Sequence, residues 1–229
     1  MQFFQLMEHK KEFKKIGFIF GLKKEMKLVS STNNYKFCVY GYGKSSKEAT
    51  KKLLKLGVDI VVNFGFAGSV SQSLKNGDIV FVNEILNESN KKLTPSKFNQ
   101  DFFKNLEKKI KFVKCNLLTV QKIVGDKGAK LKLVKKFKSI SVIDMEAYYI
   151  KEELLKVNIP MLSFKVIFDD LSFDIPSYIL DCINDRGELK IVHFFTKLIL
   201  KPKRVFELLN VNFKFLKSKK VLESLVNSF

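Results

Sequence analysis

Histidine, cysteine and proline are scarce in this chain, at two, three and four residues among 229. The histidines, His9 and His193, are far apart, and neither a His-x-x-x-His nor a Cys-x-x-Cys pair occurs, so zinc chemistry has no ligand set. Cys38, Cys115 and Cys182 are odd in number, well separated and set in or beside apolar segments. That pattern predicts buried, reduced thiols and a cytoplasmic chain. No apolar run reaches the length of about 18 residues that suggests a membrane span, so none is expected. Met1 to Lys15 carries charges and no apolar stretch, which reads as a short extension (1–14) and not as a secretory signal. Three chemical signatures are also missing. Gly43-Lys-Ser45 resembles the end of a triphosphate-binding loop, but the glycine needed five residues earlier is Cys38. Gly41-Tyr-Gly43 does not extend to a dinucleotide fingerprint, because position 46 is Ser. No Gly-x-Ser-x-Gly elbow is found.

What is present is a well-furnished core and an excess of positive charge. Hydrophobic residues make up 46% of the chain, enough to exclude a disordered protein, and the length suits one domain over 1–229. The formal charge is +19. Because the lysines are spread along the chain, this reads first as a solvated basic surface and second as peripheral contact with an anionic membrane. Nucleic acid is not expected as a partner.

Short apolar runs at Ile16–Phe20, Phe37–Tyr40, Asp59–Asn63, Asp78–Val82, Leu117–Val120, Ser141–Asp144 and Met161–Ile167 predict strands. Helical spacing is found at Ser45–Leu56, Asn99–Lys109, Lys127–Lys136 and Met145–Lys156, with Ser45 or Ser46 as a cap for the first. Alternating apolar strands and helices predict an α/β fold, a central sheet covered on both faces. From 188 to 229 the character changes to two basic, Phe-rich helices, 191–200 and 205–225, separated by Pro202.

The most informative segment is Ser141-Val-Ile-Asp-Met-Glu-Ala-Tyr148, where a strand hands over to a helix at a carboxylate, Glu146. Glu25 follows the first strand and Asp169 the last. Ligands of open α/β sheets sit at the carboxyl ends of strands, so one crevice can collect all three acids. Each taken singly is more often a solvated or capping acid.

Six segments in order carry a resemblance: Ile16-Gly-Phe-Ile-Phe-Gly-Leu-Lys-Lys-Glu25, Gly41-Tyr-Gly43, Asn63-Phe-Gly-Phe-Ala-Gly68, Gly77-Asp-Ile-Val80, Val142-Ile-Asp-Met-Glu-Ala147 and Val166-Ile-Phe-Asp169. Together they resemble the purine nucleoside phosphorylase and methylthioadenosine/S-adenosylhomocysteine nucleosidase superfamily. Leu117-Leu-Thr-Val120, Asn184-Asp-Arg-Gly187 and the basic tail are similar to its hopanoid-associated phosphorylase-like group. The resemblance implies a three-layer sandwich with a mixed sheet, cleavage of an N-ribosyl bond with release of adenine, no cofactor, and a homodimer. Carried over by position, Asp169 would protonate the leaving base and Glu25 would orient the attacking water. Glu146 would hold the ribose hydroxyls with Met145 on the sugar, while Phe66, Ala67, Gly68 and Phe168 would line the base and 5′-group. Asn63 stands where related phosphorylases carry a phosphate-binding Arg, which favours water as the nucleophile. Lys44 keeps phosphate open as a co-substrate. Phosphorolysis and a non-catalytic, lipid-side binding protein are the alternatives.

Overall fold

A computed structural model describes residues 15–30, 37–93, 100–184, 187, 190 and 204–227. The strands are β1 (Ile16–Phe20), β2 (Cys38–Tyr40), β3 (Ile60–Ser69), β4 (Ile79–Asn87), β5 (Lys92–Leu93), β6 (Val113–Thr119), β7 (Val142–Asp144) and β8 (Met161–Asp169). The helices are α1 (Lys23–Ser30), α2 (Ser46–Lys55), α3 (Gln100–Lys109), α4 (Lys127–Lys136), α5 (Ala147–Leu155), α6 (Ser177–Leu180) and α7 (Arg204–Asn227).

One mixed sheet runs β2-β1-β3-β7-β6-β4-β5, and β8 joins β3 to β4. β8 lies parallel to β3 and antiparallel to β4, so β3, β8, β4, β6 and β7 close into a ring. β3 and β8 are buried on both faces along nearly their whole length, which explains their largely apolar sequences. On one side of the sheet Leu53 of α2 and Ile150 and Leu154 of α5 pack with Val61, Val142 and Ile167. On the other, Phe18, Phe20, Phe64 and Phe164 meet Leu106 of α3 and Leu222, Leu225 and Val226 of α7. A third apolar group, Leu118, Val120, Phe137 and Ile143, is covered by Leu133 and Val134 of α4. Each fully buried side chain of this size contributes about 1.5–3 kcal/mol relative to exposure. The α/β three-layer sandwich with a mixed sheet is as expected.

Several boundaries differ from the sequence reading. β3 does not stop at Asn63 but continues through Gly65 and Gly68, because pairing with β8 holds them extended. β4 likewise runs to Asn87 along β6, and the short strand β5 and helices α1 and α6 were not anticipated. Neither serine caps α2. The hydroxyls of Ser45 and Ser46 instead donate back to the carbonyls of Tyr42 and Gly43, both at 2.7 Å, and a three-residue 3₁₀ turn precedes the helix. Of the two C-terminal helices, the second is α7. The first, expected at 191–200, and the extension at 1–14 lie outside the described residues.

Candidate functional site

β1 and β7 meet end to end along one edge of β3. β1 pairs with Ile60–Phe64 in parallel, and β7 pairs with Gly68 and Ser69 running the other way. The carboxyl ends of both strands therefore face each other across Gly65–Ala67, where neither pairs with β3. Parting strands of this kind form the crevice in which sheets of this class take ligands.

Glu25 reaches the gap from the first turn of α1, directly after β1. Its Oε1 accepts the N–H of Phe66 at 2.9 Å and its Oε2 that of Leu22 at 2.8 Å. The Phe66 N–H is a donor that the parting of β1 and β7 sets free, and an unpaired buried donor is costly. A side chain at 65 would crowd this carboxylate, since a Cβ there would stand 3.3 Å from Oε2.

Glu146 reaches the same gap from the end of β7, and its neighbour Asp144 makes that possible. Asp144 Oδ2 accepts the N–H of Ala147 at 2.9 Å and so caps α5, while Oδ1 accepts the Thr119 hydroxyl at 2.8 Å. Glu146 occupies the cap position without bonding its own helix. It crosses to the N–H of Gly43 at 3.0 Å. Gly43 has φ +53°, a conformation natural to glycine. Met145 is half-buried against the Leu118 and Ile143 group, with its methyl 4.0 Å from where a Cβ on Gly43 would be.

Two fully buried lysines complete the charge pattern. Lys165 of β8 pairs in register with Gly65, at the level of the gap. Its Nζ forms an ion pair with Asp144 Oδ2 at 2.9 Å. Its charge also acts on Glu146 and Glu25. Lys130 of α4 lies 2.5 Å from Asp169 Oδ2 and 3.3 Å from the carbonyl oxygens of both Asp169 and Asp170. Asp169 ends β8 beside a bulge. One extra residue, Phe168, intrudes where Ala67 and Gly68 oppose Ile167 and Asp169. Bulges re-aim side chains in this way. The Asp169 carboxylate consequently sits 3.0 Å from where a Cβ on Gly68 would stand.

Burial sets the titration of these acids. It raises Glu146 to about 8, helped by the charge of Asp144 and opposed by Lys165 and the Gly43 N–H. It raises Asp169 to about 6 against the pull of Lys130. Glu25 is also raised by burial, against its two N–H bonds and Lys165. Next to Asp169, burial pushes Asp170 up but hydrogen bonds from Ser172 and Asn76 outweigh it and bring the group down to about 2.

Glu25, Glu146, Met145, Ala67 and Gly68 thus border or face the gap, with Asp169 at its β8 side. The rings of Phe66 and Phe168, expected along the base and 5′-group, are half-buried beside the gap. They pack on each other (centroids 6.2 Å apart) and on Phe215 of α7 (5.7 and 6.5 Å). Phe66 also donates its backbone N–H to Glu25. Asn63 is fully buried and committed to the fold, donating to the Ile19 carbonyl at 3.2 Å and accepting from the Ser163 hydroxyl at 3.1 Å. Sequence reasoning missed both lysines. Lys165 left a signal, a charge inside the otherwise apolar run Leu162-Ser-Phe-Lys-Val-Ile167. Lys130 left none, being one of five lysines in α4.

Among solved structures, similar folds include two nucleosidases and a hydrolase. The 5′-methylthioadenosine/S-adenosylhomocysteine nucleosidase of Helicobacter pylori, solved with butyl-thio-DADMe-Immucillin-A, superposes with TM-score 0.63 at 18% identity, covering 96% of this chain and 100% of that one. The corresponding nucleosidase of Neisseria meningitidis, in complex with methylthio-immucillin-A, gives 0.64 at 16% identity, covering 93% and 99%. The futalosine hydrolase of Helicobacter pylori gives 0.58 at 20% identity, covering 71% and 90%. No curated protein sequence matches. The sequence model of the phosphorylase superfamily matches residues 4–177, most of the chain and all of the gap between β1 and β7, and the protein belongs to that superfamily.

Proposed function

We propose that this protein hydrolyses the N-ribosyl bond of an adenine nucleoside with an apolar or thioether 5′-substituent, releasing adenine. The observation that carries the reading is the meeting of Glu25 and Glu146 in the β1–β7 gap, with Asp169 at its side. In the proposed reaction C1′–N9 breaks through an oxocarbenium-like state. Asp169 gives its proton to purine N7, so the base departs neutral. Water adds to C1′ and passes a proton to Glu25. Each oxygen of Glu25 accepts one N–H and keeps a lone pair for that water. Glu146 receives the ribose hydroxyls, Met145 packs on the sugar, and Ala67 and Gly68 let the backbone approach the base.

Two further points support hydrolysis of this substrate class. Asn63, at the position of a phosphate-binding Arg in related phosphorylases, is already bonded on both sides within the core. The nucleosidases with similar folds were solved with thio-substituted immucillins. The resemblance to the hopanoid-associated group makes adenosylhopane a third candidate beside methylthioadenosine and S-adenosylhomocysteine, and a homodimer the proposed assembly. The test is free adenine released from each of the three, with and without phosphate. Release without phosphate is expected. A strict phosphate requirement with ribose-1-phosphate as product would select phosphorolysis instead. No release from any substrate under either condition would leave a binding protein that keeps the fold.

A further inference from the structure

Helix α7 has two apolar faces, and the fold uses one. Leu222, Leu225 and Val226 are buried against the sheet, and Ser218 donates to the Ile167 carbonyl at 2.9 Å. Asn76 ties the same side of the helix down, with its amide 2.8 Å from Ser218 Oγ and 3.1 Å from the Lys214 carbonyl. On the opposite side Phe206, Leu209, Phe213 and Leu216 are exposed by 76%, 59%, 70% and 51%. Their spacing of three, four and three residues lines them into one stripe. Scattered exposed apolar residues need no explanation, but a continuous stripe with two nearly bare phenylalanines does.

The charges beside the stripe restrict what can cover it. Lys220 falls next along the same line and Lys217 flanks it, and both are exposed. Helix α1 packs beside α7 and presents Lys23, Lys24 and Lys27 to solvent. A second copy would add like charge to a protein that already carries +19, which opposes association, whereas an anionic surface complements it. No described helix is long and apolar enough to cross a membrane. A helix that offers a stripe of aromatic and aliphatic side chains ending in exposed lysines matches an interfacial element whose basic groups meet lipid headgroups.

We infer that the outer face of α7 docks the protein on an anionic phospholipid surface, with Phe206, Leu209, Phe213 and Leu216 entering the headgroup–acyl boundary and Lys217 and Lys220 meeting lipid phosphates. This holds whatever the reaction at the β1–β7 gap. The experiment is co-sedimentation of the whole chain with vesicles of phosphatidylcholine alone or with about a third phosphatidylglycerol. Binding is expected to the anionic vesicles, to weaken with added salt, and to be slight on phosphatidylcholine. Phe206→Ser with Phe213→Ser should lower it about tenfold or more. Lys217→Glu with Lys220→Glu should lower it by a similar factor and reduce its salt dependence. Tm and light-scattering mass should stay unchanged in both variants. Failure of the native chain to bind at low salt, or equal binding by the phenylalanine variant, overturns the inference. So does a dimer mass that falls to a monomer in that variant, which would make the stripe a contact between copies.

Discussion

In the proposed reaction Asp169 supplies the proton, and Lys130 opposes its retention. A general acid must hold its proton near the working pH. Burial pushes Asp169 toward that condition, to about 6, while the ammonium of Lys130 at 2.5 Å draws the group back toward the carboxylate. The protonated fraction of Asp169 therefore falls as pH climbs through about 6. The basic limb of a kcat/KM profile should report that loss. Lys130→Met removes the opposing charge, so the limb should move to higher pH by about one unit or more, in keeping with the effect of a close opposite charge on a carboxyl. Asp169→Asn should slow adenine release by about two to four orders of magnitude and abolish the limb. The two results separate the roles. If Asp169→Asn is slow but Lys130→Met leaves the limb in place, Lys130 is a packing residue only. If Asp169→Asn is as fast as the native chain, the acid lies elsewhere.

At the scale of elements, the site is a consequence of how β3 is shared. Its glycines do not turn the chain; they keep space for carboxylates. A Cβ on Gly68 would stand 3.0 Å from Asp169 Oδ1 and 3.1 Å from Cγ1 of Ile143, and the carboxylate is itself held by Lys130. Gly68→Ala should therefore displace Asp169 by a few tenths of an ångström and lower kcat/KM by about tenfold to a hundredfold, since small misplacements of reacting groups are costly. The same crowding against buried Ile143 should also lower stability, by about 1–3 kcal/mol as overpacking does, so kcat/KM is compared well below the Tm of both proteins. A variant with native kcat/KM would show that the close approach has no functional meaning. This arrangement was only partly legible in the sequence. The Asp144-Met-Glu146 junction and the strand ends at Glu25 and Asp169 could be read from the change of period at each point. The gap could not, because local periodicity carries no strand direction, and the gap exists only because β7 runs against β3 while β1 runs with it. For the same reason the continuation of the strand past Asn63 through Gly65 and Gly68 left no signal. The stacking of Phe66 and Phe168 on Phe215 likewise depends on a helix beginning 36 residues after Phe168.

For the molecule as a whole, gathering buried acids has a consequence for stability. Glu25, Glu146 and Asp169 bind protons more tightly in the folded chain than their ordinary values, and burial is the leading cause in each. A group raised on folding favours the native state while it stays protonated, and that advantage is lost as pH rises from its unfolded value through its folded one. For Asp169 the loss is complete by about 6, and for Glu146 it extends to about 8. In that interval the native chain holds protons the unfolded chain has released, so stability falls with pH, by up to about 1.4 kcal/mol per pH unit for each such group. Asp170 acts in the other sense. Its depressed value of about 2 gives stability above the ordinary carboxylate range that disappears only in strong acid. A formal charge of +19, which grows as carboxylates protonate, adds self-repulsion on the acid side. These opposing trends place the most stable condition on the acidic side of neutrality, near pH 5. Melting temperatures measured from pH 5 to pH 8 at constant ionic strength should decline across the interval. Glu146→Gln removes the group whose proton is retained longest, so its curve should be the flatter of the two above pH 6. Parallel curves for the two proteins would mean that Glu146 titrates normally. The crevice between β1 and β7 would then be better hydrated than its packing indicates.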